Sequence, residues 1–224
     1  LYGCIHVCAS DAFSESNLNR NRQQNLEAMR KQTRAHLSAG VSVNKISVMA
    51  AFGCNFAGDI KPASTVAAVE DAMAIAAEFD ATILEIALAD TMGWSTPTLT
   101  ERVVAEVRSR WPTIPIRLHL HDTRGLGIAN ASRALSLGVE RYDTTVGGLG
   151  GCPFAKHKGA AGNIATEELV LLAEESGIST GIDIHAMIAA GHLAESIIGR
   201  TLPSAVLRGG SLESFRTNAR ANRV

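Results

Sequence analysis

The sequence has no long apolar run. None of its apolar stretches reaches the roughly 18 residues that a membrane-spanning helix needs. Residues 1–4 carry no basic group of the kind that opens a secretory signal peptide. We therefore expect a cytoplasmic protein without a membrane partner.

An excess of charge of one sign is also missing. The 224 residues include 21 lysines and arginines against 22 aspartates and glutamates, which gives a formal net charge of −1. Nucleic acid and anionic membrane surfaces attract proteins with a large basic field, and this composition does not supply one. We therefore expect no nucleic-acid partner.

Cysteine is scarce, and the four residues are Cys4, Cys8, Cys54 and Cys152. They form no C-x-x-C pair and no spacing typical of a disulfide framework, which suits a reducing cytosol. Each cysteine therefore needs its own explanation.

The sequence does contain short β-rich runs that alternate with longer helical patterns. With 46% hydrophobic residues, the chain is long enough for one domain with a sizeable core. Five strands are predicted over 2–8, 45–50, 82–87, 116–120 and 142–146, with helices in the gaps. The strands are almost continuously apolar, which is typical of parallel β/α units rather than of an antiparallel sheet.

Two parallel architectures fit this order, a doubly wound sheet and a (β/α)₈ TIM barrel. The glycine fingerprint G-x-G-x-x-G of a dinucleotide site does not follow the first strand. Polar residues instead follow several different strands, as they do at the C-terminal face of a barrel. We therefore predict one α/β domain over 1–224, a TIM barrel with about five of its eight strands present and the others missing on the N-terminal side. Residues 183–224 are predicted to form a C-terminal helical extension.

The segment RLHLHDT, 117–123, places two histidines at the end of an apolar strand. Alternate side chains of a strand share a face, and at about 3.3 Å per residue His119 and His121 can converge on one metal ion. A bare H-x-H pair is as typical of core or surface histidines as of metal ligands. Asn163 follows a glycine turn, and it is either a common turn or cap residue or an amide-oxygen ligand for a hard divalent ion. Two imidazoles with an amide oxygen would suit Mg²⁺ or Mn²⁺ better than a structural Zn²⁺.

Two further candidate residues follow predicted strands. Cys152 ends the glycine-rich loop 147–151, and it is either a buried cysteine in a flexible hairpin or a lid thiol that acts as a general acid or base. Asp90 is either a turn or cap former or an acid/base group beside the metal. The residues alone leave these alternatives open.

Four motifs in order, H-x-H-D-T, G-G-L-G-G-C-P, G-A-A-G-N and A-T-E-E-L, resemble the 3-hydroxy-3-methylglutaryl-CoA (HMG-CoA) lyase group of the metal-dependent lyase and aldolase TIM barrels. The cysteine loop separates this group from the isopropylmalate synthases and hydroxy-oxovalerate aldolases, which share the histidine pair. The resemblance implies a carbon–carbon lyase that cleaves a 3-hydroxy-3-methyl acyl-CoA to acetyl-CoA and a keto acid, as in leucine degradation. Its reaction is a retro-Claisen cleavage that depends on Mg²⁺ or Mn²⁺.

The resemblance also implies roles for individual residues. His119, His121 and Asn163 are the expected metal ligands. Cys152 is the expected lid thiol, and Asp90 is expected beside the acyl group as an acid/base or orienting residue. Cys152, Asp90 and His119 are thus the predicted catalytic residues, and the predicted partner is a small acyl-CoA.

Three departures from the family pattern bear on activity and substrate. The arginine and aspartate of the family's first strand, of which the aspartate completes the metal shell, are not in this sequence. Arg124 stands where lyases of the methylglutaryl substrate usually have tyrosine, and residues 156–159 make the lid loop longer and more basic. Both of these changes look like bacterial relatives, some of which cleave citramalyl-CoA.

Three alternatives therefore stand beside the HMG-CoA lyase interpretation. The first is an (R)-citramalyl-CoA lyase, and the second is a condensing synthase or aldolase of the same superfamily. The third is a non-catalytic truncated fragment, because a barrel without some of its strands has open edges and an uncovered core. We also expect a bacterial homo-oligomer, since barrels of this sort often dimerise.

Overall fold

The computed structural model describes residues 2–151 and 162–221. Five strands lie side by side in chain order as one parallel sheet: β1 (Gly3–Cys8), β2 (Val43–Met49), β5 (Glu85–Ala89), β6 (Ile116–His119) and β7 (Arg141–Asp143). A short antiparallel hairpin, β3 (Gly53–Cys54) and β4 (Gly58–Asp59), follows β2.

Helices fill the connections between the strands and also follow the last strand. They are α1 (Asp11–Leu18), α2 (Arg22–Ser38), α3 (Pro62–Glu78), α4 (Pro97–Arg110), α5 (Gly127–Ser136), α6 (Thr166–Glu175), α7 (Ile184–Ile198), α8 (Val206–Gly209) and α9 (Leu212–Ala221). Within the described ranges, none of these helices combines the length and apolarity needed to cross a bilayer.

Capping residues explain where two of these helices begin. At α4, Thr96 accepts a hydrogen bond from the main-chain N–H of Leu99 at 3.2 Å, and Pro97 is the first helical residue. At α2, Asn21 and Gln24 form a reciprocal capping box. Both arrangements satisfy main-chain donors that the first helical turn leaves without a partner.

The two faces of the sheet differ in chemistry. The outer face packs against apolar residues of α3 and α4, and together they form the main hydrophobic core. Its aliphatic side chains are 0% exposed and include Ile46, Val48, Ile86, Leu88 and Leu118. The apolar outer face therefore provides most of the burial that holds the helices on the sheet.

The inner face of the sheet is polar. At the beginnings of the strands it presents Lys45, Glu85, Arg117 and Arg141, whose charged groups form a cluster of ion pairs around Glu85. At the end of β6 it presents His119. The ion-pair cluster and the candidate ligand His119 thus lie on the face that turns away from the helices.

The predicted fold, a parallel α/β barrel with five strands present, is confirmed by this sheet. One extended segment was not predicted. Ala165 forms a parallel bridge with Thr145, and the main-chain N–H of Thr145 donates to the carbonyl of Ile164 at 3.2 Å. Residues 163–165 thus extend the sheet beyond β7 and bring Asn163 to the end of the sheet where the strands finish.

The burial of Ile46 makes a prediction about stability. We expect Ile46→Ala to lower the free energy of unfolding by about 2–5 kcal/mol, because it leaves a cavity in a packed core. The control Leu84→Ala, at a side chain that is 56% exposed, is expected to change it by less than about 0.5 kcal/mol. Chemical denaturation of both variants measures the difference, and equal effects would contradict the assignment of the core.

Candidate active site

The two histidines of the H-x-H pair lie together at the end of β6. His119 is the last residue of the strand, and His121 forms an isolated antiparallel bridge with Asn163. The two rings are neighbours, with centroids 5.0 Å apart and planes inclined by 66°. The structure therefore brings together the three residues predicted as metal ligands.

Both imidazoles are held at Nδ1. His121 Nδ1 donates to the main-chain carbonyl of Asp90 at 2.8 Å, and His119 Nδ1 lies 3.3 Å from a carboxylate oxygen of Asp143. A carbonyl and an ionised carboxylate only accept, so Nδ1 of each ring carries a proton, and in the neutral ring the lone pair is on Nε2. Burial lowers the pKa of His121, which favours the neutral form that a metal ligand requires.

Asn163 presents an oxygen atom without a partner. Its Nδ2 donates to the carbonyl of Leu149 at 2.9 Å, which fixes the amide plane. Its Oδ1 is buried, and among the described residues nothing donates a hydrogen bond to it. A buried acceptor without a donor is costly unless another group satisfies it, and a divalent cation is one such group.

The donor set fits a hard divalent metal ion. Two imidazole nitrogens and an amide oxygen combine with carboxylate or water oxygens in Mg²⁺ and Mn²⁺ sites. In ranges 2–151 and 162–221, no three side chains among His, Cys, Asp and Glu gather as a metal site, so the amide oxygen is the third candidate ligand.

Asp90 is buried beside this pair and is 1% exposed. Its carboxylate oxygens accept the main-chain N–H groups of Trp94 at 2.7 Å and Ser95 at 3.1 Å. Burial raises the pKa of Asp90 to about 6, although these two hydrogen bonds act in the opposite direction. The carboxylate thus holds the turn after β5, while the main-chain carbonyl of the same residue orients His121.

Arg124 connects the loops that follow β5 and β6. Its Nη1 donates to the carbonyls of Met92 at 3.0 Å and Gly93 at 2.9 Å, and its guanidinium lies 6.0 Å from the ring centroid of Trp94. The indole N–H of Trp94 donates to Asn55 at 2.7 Å. Arg124 therefore ties the loop after β6 to the loop that follows Asp90.

Glu167 holds the start of the glycine loop by hydrogen bonds, a contact that the sequence did not predict. Both carboxylate oxygens of Glu167, which is 0% exposed, accept the main-chain N–H of Gly147 at 3.0 Å. Gly147 has φ +60°, a conformation that favours glycine. Cys152, the predicted thiol of this loop, lies outside the described residues.

Comparison with known proteins agrees with this geometry. Residues 4–194 match the HMGL-like family. The chain belongs to the HMGL-like family. A curated relative, the (R)-citramalyl-CoA lyase of Chloroflexus aurantiacus, is 38% identical over 208 residues, which are 91% of this chain and 62% of the relative.

Two further members extend the comparison. The hydroxymethylglutaryl-CoA lyase YngG of Bacillus subtilis is 32% identical, and the match covers 90% of this HMGL-like chain and 64% of the relative. A solved structure of an HMG-CoA lyase from A. baumannii, in complex with coenzyme A and 3-methylmalate, is 33% identical in sequence. It superimposes with a TM-score of 0.79, and the match covers 93% of this chain and 65% of that one. The chain thus spans less than two thirds of each of these three relatives.

Proposed function

We propose that this HMGL-like protein is a divalent-metal-dependent lyase that cleaves a 3-hydroxy-3-methyl acyl-CoA to acetyl-CoA and a keto acid. The observation that carries the proposal is the buried Oδ1 of Asn163, which has no hydrogen-bond partner among the described residues, beside two histidines held through Nδ1. The lyase names of the citramalyl-CoA and HMG-CoA relatives support the reaction class. The coenzyme A complex of the A. baumannii relative supports an acyl-CoA substrate.

In this proposal His119, His121 and Asn163 hold Mg²⁺ or Mn²⁺. When bound, the metal ion polarises substrate oxygens and stabilises the negative charge that develops on the hydroxyl oxygen. A base removes the proton of the tertiary hydroxyl, the adjacent C–C bond breaks, and its electron pair passes to the acetyl-CoA enolate, which is then protonated. We assign proton transfer to Cys152 and Asp90, in line with the raised pKa of the buried Asp90 carboxyl group.

The wider setting belongs to the same proposal. We place the enzyme in the bacterial cytoplasm as a homo-oligomer, with leucine degradation as the process for a methylglutaryl substrate. The bacterial organisms of two relatives support the bacterial part of this setting.

Citramalyl-CoA is the second candidate substrate. The 38% identity to the Chloroflexus aurantiacus lyase favours it, and so does Arg124 in the loop after β6. A substrate with a different acyl chain would meet this guanidinium instead of a tyrosine ring.

A direct assay tests the proposed reaction. The protein is incubated with Mn²⁺ and either HMG-CoA or citramalyl-CoA, and acetyl-CoA is measured with a coupled enzyme. We expect release from at least one substrate and none after removal of the metal with EDTA. Absence of release from both would reject the lyase, and release that persists in EDTA would reject its metal dependence.

Replacement of Cys152 separates the lyase from a synthase or aldolase of the same superfamily. We expect Cys152→Ala to lower kcat by about 10²-fold or more, because it removes a proton-transfer group, while Mn²⁺ binding stays unchanged. The control is Cys4→Ala, a residue on β1. Unchanged acetyl-CoA release in Cys152→Ala would favour the synthase or aldolase.

A further inference from the structure

Asp143 lies beside His119 because β6 and β7 run parallel in a register that pairs these two residues. One carboxylate oxygen of Asp143, Oδ2, is 3.3 Å from His119 Nδ1, and the other, Oδ1, accepts from Arg117 Nη1 at 2.7 Å. Each oxygen thus has one partner. Arg117 thus orients the Asp143 carboxylate, and the carboxylate in turn orients the imidazole of His119.

Arg117 is itself held in place. Its Nη2 donates to Glu85 Oε2 at 3.0 Å, and the Glu85 side chain is only 5% exposed. Glu85 also forms ion pairs with Lys45, with Nζ 3.3 Å from Oε1, and with Arg141, with Nη1 2.8 Å from Oε2. The result is a relay along the inner face of the sheet that runs from Glu85 through Arg117 and Asp143 to His119.

We propose that Asp143 is a positioning residue that fixes the tautomer and the ring orientation of His119. The inference rests on the proposed metal centre, because this tautomer leaves the Nε2 lone pair of His119 available to bind a metal ion. His121 obtains the same orientation from the main-chain carbonyl of Asp90, which no side-chain substitution removes. His119 therefore depends on a side chain where its neighbour does not, and carboxylates behind metal-binding histidines serve this purpose in other proteins.

The relay makes the Asp143→Asn substitution especially informative. A guanidinium only donates, so in this variant Arg117 takes the oxygen of the new amide and leaves the amide NH₂ group facing His119 Nδ1. That NH₂ group donates to Nδ1, which moves the imidazole proton to Nε2 and occupies the lone pair that a metal requires. Asp143→Ala removes the constraint without imposing the wrong tautomer.

Two measurements test this inference. Nitrogen-15 NMR of the metal-free protein distinguishes a protonated from an unprotonated ring nitrogen of His119. We expect the proton on Nδ1 in the wild type and on Nε2 in Asp143→Asn. In Mn²⁺ titrations followed by EPR, we expect Asp143→Asn to bind about 10–100-fold more weakly than the wild type, and Asp143→Ala to fall between them.

The matched control is Glu101→Gln, which also removes a partly exposed carboxylate that pairs with an arginine. Glu101 is on α4 and its partner Arg133 is on α5, so this ion pair lies away from the sheet. Thermal unfolding of all variants checks that they fold. The same His119 tautomer in the wild type and Asp143→Asn, or equal Mn²⁺ affinity in the two proteins, would overturn the inference. If the wild type and His121→Ala bind Mn²⁺ equally, the metal centre itself is rejected, and the NMR result still decides the positioning role.

Discussion

We expect His121→Ala to weaken Mn²⁺ binding by more than about 100-fold and to reduce acetyl-CoA release in parallel. His121 is 7% exposed, its Nδ1 is held by the carbonyl of Asp90, and its main chain bridges to Asn163. The residue therefore contributes both a preoriented nitrogen and the strand contact that brings the amide oxygen alongside. Removal of the ring leaves Asn163 and His119 with one nitrogen too few for a tight site.

The measurement is a Mn²⁺ titration by EPR, with acetyl-CoA release measured on the same samples. The control is His192→Ala, an exposed histidine on α7 that pairs with Glu195. We expect the control to bind Mn²⁺ like the wild type. Tight Mn²⁺ binding by His121→Ala would show that the ion binds elsewhere.

Two of the residues that the sequence predicts for the site, His119 and His121, carry a local signal. The i, i+2 spacing of His119 and His121 on a strand is enough to predict that their rings share a face. Asn163 has no such local signal, and its place in the site came from the family resemblance. In the structure Asn163 lies beside His121 because a bridge joins these two segments, which are distant in sequence.

Asp143 and Glu167 were not predicted, for a physical reason. Asp143 lies 24 residues after His119, and the contact exists only because two parallel strands pair in one register. An aspartate at the end of a strand is also a common turn residue, so its identity alone indicates no role. An acid near the start of a helix such as α6 is common because it complements the helix dipole, so the sequence position of Glu167 does not indicate that its carboxylate binds the main chain of Gly147.

Strand boundaries were predicted less well than strand order. The run 82–87 predicted a strand, but β5 begins at Glu85, where the ladder with Lys45 starts. Apolar content cannot locate that start, because Ile83 is buried before the strand begins. Pairing with the neighbouring strand, rather than hydrophobicity, decides where the ladder starts.

The close approach of Gly162 to Gly150 leads to the second large expected effect. A Cβ atom at position 162 would lie 1.5 Å from the carbonyl oxygen of Gly150, which no real side chain tolerates. The Gly162 carbonyl also accepts the N–H of Asp122 at 2.7 Å, so this segment is held on its other side. We therefore expect Gly162→Ala to push residue 162 away from Gly150 and to displace Asn163. The expected result is Mn²⁺ binding weaker by at least about tenfold and a fold less stable by about 1–3 kcal/mol.

Gly209→Ala is the matched control, because a Cβ atom at Gly209 meets nothing within 4 Å. Mn²⁺ titration and thermal unfolding of both variants give the comparison. We expect Gly209→Ala to retain the wild-type affinity, because it lies at the end of α8 and its new methyl group displaces no neighbour. If Gly162→Ala retained both Mn²⁺ affinity and melting temperature, the close packing of Gly162 against Gly150 would not be what holds Asn163 beside the histidines. Loss of affinity with an unchanged melting temperature would assign the effect to the displaced ligand rather than to global unfolding.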